Sequence, residues 1–282
     1  MEITPAIFEA QDQYHDSVVA ATRRLVVAHG YGLVPGAELN VTTSIVDEVL
    51  SLQVFALEAV SKSGGFLQIA GDSMSRKQPH AKGRACFVVV HPDGEVEQEV
   101  NQVLYSKPRY AYDFCTLDEM DDDSFPIAKL VQEFDSWKVQ ELYIPPCMTV
   151  GAHAELFRMQ QQASQMVHEI AGIMKDRHVT MDYTMLDMLL MDWDELDGTE
   201  TPKEYYLLLK KTAWFLSAQG VAHLTLPKLP PIPPFNNNDI LESVSVEVQY
   251  LSDYRQAVDE EEEPEKVETE EEDVIVYDGI IP

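Results

Sequence analysis

Two adjacent prolines, Pro145 and Pro146, mark the point where the hydrophobic period of this 282-residue chain changes. Proline has no N–H to offer a sheet ladder and holds the residue before it extended, so the pair punctuates whatever strand precedes it. Before that point apolar residues alternate; after it they recur at helical spacing. Strands followed by helices is the order of an α+β chain. A chain of this length has room for more than one core, so the change of period reads as a boundary between units.

In the first unit, residues 1–150, a short helix is expected over residues 10–29, where Val18, Val19, Ala21, Leu25 and Val26 precede the Gly30-Tyr31-Gly32 break. Alternation then predicts strands over 38–41, 49–60, 65–70, 85–91, 95–105 and 128–142. Ser63-Gly64-Gly65 and Pro92-Asp93-Gly94 supply turn residues between them. The expected result is a β-sandwich-like domain.

Residues 151–225 read as helical. Leu156, Met159, Ala163, Met166, Ile170 and Ile173 fall at alternating intervals of three and four, with Gln160, Gln161, Gln162, Glu169 and Lys175 off that line. This is a heptad seam of the kind that joins helices of separate chains. The same stripe also suits an amphipathic helix packed within its own domain. Thr180 is placed to cap a second helix running to about Leu196, and Thr201-Pro202-Lys203-Glu204 combines a capping box with proline at the first helical position. Gly220 closes that third helix, and the short connections make a small antiparallel bundle.

Residues 226–258 open on a proline-rich connector expected to be extended, and continue as a helix capped by Asn238 or Asp239 with Ile240, Leu241, Val244, Val248 and Leu251 along one face. Residues 259–282 begin as an almost unbroken run of Asp and Glu, which has too little apolar surface to fold and is expected to be disordered. Val274, Ile275, Val276 and Tyr277 then form a candidate docking strand or linear motif.

The acidic excess gives a formal net charge of -29, which repels phosphate backbones and anionic headgroups alike and excludes nucleic-acid and membrane-surface partners. No apolar stretch approaches the ~20 residues of a membrane span, and the Met-Glu-Ile-Thr-Pro start has no basic or apolar leader pattern. No direct membrane insertion and a cytoplasmic location are therefore expected.

Catalytic and metal-binding patterns are missing from the sequence. The eight histidines include no pair at i, i+4, and the three cysteines, Cys86, Cys115 and Cys147, are an odd number at wide spacing. No phosphate loop, dinucleotide fingerprint or nucleophile elbow occurs. Asp121-Asp122-Asp123 has the chemistry for a hard cation but lacks the glycine and distal Glu of an EF-hand, so a solvated turn is the favoured reading. Cys147 has no basic neighbour to activate it and reads as buried filler. Met181, Met185, Met188 and Met191 suit either an adaptable partner surface or, the favoured reading, bundle core beside Leu186, Leu189 and Leu190. Tyr105, Tyr110, Tyr112 and Phe114 suit either a ligand cleft or paired strand aromatics. No enzyme and no cofactor are expected.

Four segments resemble the TssK family, the baseplate subunits of type VI secretion systems. Phe8-Glu9-Ala10-Gln11-Asp12-Gln13-Tyr14-His15, followed by Tyr31-Gly32-Leu33 and Glu38-Leu39-Asn40, is similar to the family's opening. Trp137-Lys138-Val139 leading into Tyr143-Ile144-Pro145-Pro146-Cys147 is the most specific, and the stretches 204–215 and 230–241 complete the order over roughly residues 1–258.

This resemblance implies a homotrimer in which a β shoulder is joined at Ile144, Pro145, Pro146 and Cys147 to a bundled helical neck, with Leu156, Met159, Ala163, Met166, Ile170 and Ile173 as its oligomerisation seam. It implies a structural baseplate role, wedge proteins TssF and TssG as shoulder partners, and a carboxy-terminal head docking onto the TssL and TssM membrane complex. Residues 259–282 stand where that head is expected, which leaves the membrane-anchor contact open. The family's shoulder also resembles receptor-binding proteins of long-tailed phages, so a phage-like tail-tip adaptor is the alternative.

Overall fold

A computed structural model describes residues 31–260 apart from short breaks at 38, 80–84, 101–102, 135, 178, 180 and 220–224; before them it describes only Tyr14, His15, Val18, Val19 and Thr22, and it leaves out the side chains of 98–105. Most of the helix expected over 10–29, the caps expected at Thr180 and Gly220, and the candidate docking residues Val274, Ile275, Val276 and Tyr277 lie outside the described residues.

Among the described residues from 31 on, eight strands come first and form two antiparallel sheets. In the first, β1 (Gly32–Leu33) and β2 (Asn40–Val46) share one edge of β3 (Val49–Val60), and β4 (Phe66–Lys77) takes the other. In the second the order is β6 (Val103–Cys115), β5 (Ala85–Val100), β7 (Phe125–Glu133), β8 (Ser136–Val139). The β2–β3 hairpin turns on Asp47 and Glu48, both at positive φ, the geometry whose twist matches that of the strands.

Alternation in β3 and β4 changes phase at one level. Leu50, Leu52 and Val54 are buried and then Leu57 and Ala59; opposite them Leu67 and Ile69 are buried and the pattern resumes at Asp72 and Met74. Gly71, at φ +76°, supplies the backbone conformation this slip requires.

The two sheets face each other. Tyr112 Oη donates to Asp72 Oδ2 at 2.8 Å, and Arg76 Nη1 donates to the Tyr112 carbonyl at 3.1 Å. Tyr110 Oη accepts from the Gln68 N–H at 3.1 Å. Tyr110, Tyr112 and Phe114 therefore pack against the core between the sheets, as strand aromatics do; the Tyr105 side chain lies outside the described residues.

Several strand boundaries differ from expectation. The stretch expected as one strand over 95–105 is shared between the end of β5 and the start of β6, which runs on to Cys115; β2 and β4 run past 41 and 70 to Val46 and Lys77, and β1 was not expected. Pro92-Asp93-Gly94 does not end a strand: β5 runs through it on a bulge, with Gly94 at φ +76°. The single strand expected over 128–142 is two, because the chain turns back at Phe134, φ +56° and almost fully exposed.

Four helices follow: α1 (Ala154–Asp176), α2 (Tyr183–Asp194), α3 (Pro202–Ser217) and α4 (Ile240–Asp259). Local signals set their starts. Asp182 Oδ1 accepts from the Met185 N–H at 3.1 Å to cap α2. Thr201 and Glu204 close a capping box on α3, and Asp239 caps α4. The apolar core is continuous from the sheets, through Ile144, Cys147 and Val150, into all four helices.

Candidate assembly site

The chain at the boundary pairs with the first strand after all, through Pro146 and Met148. A proline carbonyl remains an acceptor although its nitrogen cannot donate. The Leu33 N–H donates to the Pro146 carbonyl at 2.8 Å, and the Met148 N–H donates to the Leu33 carbonyl at 3.1 Å. Leu33 and Cys147 thus form an isolated parallel bridge. The approach needs Gly32: a Cβ there would stand 2.4 Å from the Cys147 carbonyl carbon, on a backbone at φ +142°.

Ile144, Pro145, Pro146 and Cys147 are all buried. The Cys147 thiol points at the Pro145 carbonyl, 3.2 Å away, and burial pushes its pKa far above the ordinary thiol range. It packs as a small side chain of the core.

From this knot the helical half is stitched on at two further places. The Val150 N–H donates to the Glu200 carbonyl at 2.9 Å and the Gly151 N–H to that of Gly198 at 2.8 Å, tying the start of α1 to the link between α2 and α3. The run Asn236-Asn237-Asn238-Asp239 then docks the start of α4 onto the β half. Tyr143 Oη donates to the Asn238 carbonyl at 2.9 Å and Tyr31 Oη to its Oδ1 at 3.3 Å.

Beneath them Lys129, from β7, is buried against Asp239, with Glu242 Oε2 at 3.3 Å on the solvent side. Its ammonium also lies 5.9 Å from the centre of the Phe87 ring, which meets Tyr143 edge-on. Burial pushes the Asp239 carboxyl up against the pull of Lys129, whereas Glu242 is held down by its hydrogen bond to Asp239 and by Lys129. The α4 cap and the junction ion pair are therefore one group.

The six seam residues divide. Leu156, Met159, Ala163 and Ile170 are buried within this chain, while Met166 and Ile173 are half-buried at its edge. In their place Val167 and Met174 complete the buried stripe, which runs 156, 159, 163, 167, 170, 174. That is the drift of a straight helix at 3.6 residues per turn against a fixed seven-residue repeat. Met166 lines a groove between α1 and α4 with Glu169, Val248, Gln249 and Arg255, and Arg255 Nε reaches Glu169 Oε2 at 2.5 Å across it.

On α2 the buried positions are Leu186, Leu189 and Trp193; Met188 and Met191 are 54% and 64% exposed and Met181 and Met185 only half-buried, so the favoured reading of these methionines as bundle core is corrected: those leucines and Trp193 fill it. One core group was not expected. Glu247 on α4 is fully buried, neither carboxylate oxygen has a hydrogen-bond partner, and burial pushes its pKa up to about 7. Its spacing in the sequence matches that of its apolar neighbours Val244 and Leu251, and only that signal places it inside.

Asp121 Oδ1 accepts from the backbone of Asp123 and Ser124, and Asp122 pairs with Lys62 and accepts from the Ser63 N–H at its carbonyl, so the acidic run is an exposed turn tied to the β3–β4 connection. Among the described residues no cluster of His, Cys, Asp and Glu is arranged to hold a metal, and no helix is long and apolar enough to cross a membrane.

No protein-family model and no curated protein matches this sequence. Solved structures do match its shape. The crystal structure of TssK superposes with a TM-score of 0.64 at 12% identity, over 93% of this chain and 68% of that one. TssK from EAEC, bound to a nanobody, gives 0.57 at 14% identity over 89% and 68%. A chain of the type VI secretion system TssK–TssF–TssG baseplate subcomplex gives 0.55 at 13% identity, over 91% of this chain and 96% of that one. Two sheets, a buried proline junction and four helices, in that order, give this chain the fold of TssK.

Proposed function

We propose that this chain is a structural subunit of a type VI secretion baseplate, a cytoplasmic homotrimeric adaptor that binds the wedge proteins TssF and TssG and has no catalytic role. The observation that carries the reading is the match, over nearly the whole length of both chains, to a component of a TssK–TssF–TssG subcomplex. The junction supports it. Hydrogen bonds, a buried ion pair and a continuous core join the β half rigidly to the helices, as an element that transmits load between two partners requires.

On this reading residues 1–150 are the shoulder that meets the wedge, residues 151–225 with the helix in 226–258 are the neck, and residues 259–282 are an acidic tail. Self-association uses the edge of the seam that one chain leaves open, Met166 in the α1–α4 groove and the half-buried Ile173 further along α1. The test is co-expression of the tagged chain with TssF and TssG from the same genome. Retention of both on the tagged chain, lost when exposed residues of β2 to β4 are changed, supports the proposal; failure of either to co-purify with the intact chain overturns it.

A further inference from the structure

After the junction, the large apolar side chains left exposed among the described residues are Met188 and Met191 on α2 and Leu207 and Trp214 on α3. The two helices meet through an ion pair, Lys211 Nζ to Asp192 Oδ2 at 2.7 Å, and Met188 and Met191 lie within about one helical turn of Asp192 as Leu207 and Trp214 do of Lys211, so the four flank this contact. Lys203, Leu207, Lys210 and Trp214 follow one another up the exposed face of α3 at helical spacing.

Among the described residues neither Lys203 nor Lys210 has a carboxylate within ion-pairing distance, in a chain with 49 acidic and 20 basic residues. The Lys210 ammonium instead lies over the Trp214 ring, 4.8 Å from its centre, and over Tyr206. The exposed face of α3 is therefore apolar and basic, beside an acidic α2, on a molecule of net charge -29.

We infer that this α2–α3 face is the seat of the chain's own carboxy-terminal segment, with the acidic residues 270–273 against Lys203 and Lys210 and Val274, Ile275, Val276 and Tyr277 against Leu207, Trp214 and the two methionines. Complementarity is the first argument, since the segment pairs the two chemistries the face leaves unmet. Reach is the second. The starts of α3 and α4 are both held at the junction, and Arg177 at the end of α1 donates to the carbonyls of Asp259 and Glu260 at 3.3–3.4 Å, so α4 ends at the far end of the bundle. At 1.5 Å per residue the Leu207–Trp214 stretch lies about 10–20 Å back from that point. The nine residues 261–269 that precede the acidic stretch span about 15–18 Å as a random coil and at most about 30 Å extended, so they bring it to Lys210, about 18 Å back, as a coil and to Lys203, about 28 Å back, when extended.

Trp214 reports the contact directly. It is 57% exposed, whereas Trp137 and Trp193, the other two tryptophans, are buried. Acrylamide quenching is measured on the full chain, on Ile275→Asp with Tyr277→Asp, on Lys203→Glu with Lys210→Glu, and on a chain ending at Glu260, each with and without Trp214→Phe. The inference expects little quenching in the full chain at any protein concentration. In the other three, about one third of the emission becomes quenchable, and Trp214→Phe removes that fraction. Trp214 equally open in all four chains overturns it. Shielding that survives loss of the tail, or that deepens as protein concentration rises, overturns it in favour of a second copy on this face. The inference does not depend on the baseplate reading.

Discussion

Replacing Lys129 with methionine keeps the length and apolar stem of the side chain and deletes its charge. The Lys129 side chain is 9% exposed and that of its partner Asp239 only 3%, so the carboxylate is left without a cation and away from water. It is also committed as the cap of α4, accepting from the Glu242 N–H, and cannot swing out without freeing that helix end. Removing one member of a buried pair costs about 3–5 kcal/mol, well above the cost of an exposed pair, because the remaining charge keeps its desolvation penalty.

The pH dependence follows with a definite sign. Burial already raises the Asp239 carboxyl, and without Lys129 only the Glu242 N–H of the helix cap is left to oppose it. A carboxyl whose folded pKa is raised binds its proton more tightly in the native state, so its penalty is absent at acid pH and grows as pH rises above the unfolded carboxyl value of about 4. Urea unfolding of Lys129→Met should therefore show the full loss at pH 7 and a smaller one at pH 4. Adding Asp239→Asn should recover most of it, because a neutral pair of similar shape leaves no stranded charge. A loss below about 1 kcal/mol at pH 7, in the range of surface pairs, would refute the reasoning, as would an Asn variant that restores nothing.

Three further outcomes are expected. Glu247→Gln should stabilise the protein by about 3 kcal/mol at pH 8 and leave it nearly unchanged at pH 4, since a buried carboxyl held at about 7 carries a penalty that builds between about pH 4.5 and 7; calorimetry at the two pH values checks this. Gly32→Ala should cost about 2 kcal/mol or more in chemical unfolding, through overlap with the Cys147 backbone and strain at positive φ. Met166→Asp with Ile173→Asp should lower the oligomer mass while circular dichroism stays native, whereas Ile170→Asp, fully buried in its own chain, should unfold the monomer.

Much of the architecture was legible because local physics decides it. The limits of β3, the capping box at Thr201 and the cap at Asp239 follow from alternation and from side chains that reach their own backbone within three residues. What escaped was non-local. Lys129 and Asp239 are 110 residues apart, and a lysine in a strand looks the same whether it faces water or a carboxylate. Pro92-Asp93-Gly94 has the chemistry of a turn, yet β6 continues beside it and carries the ladder through. The seam was visible as a stripe, but a repeat of seven does not say which side of a straight helix its own chain will cover.

Light scattering on the purified chain, alone and mixed with TssF and TssG, tests the central claim most directly. The account predicts a particle of three times the 31.9 kDa chain mass that moves as a unit into a larger complex with the wedge proteins. A monomer that keeps its own elution position in the mixture would contradict it.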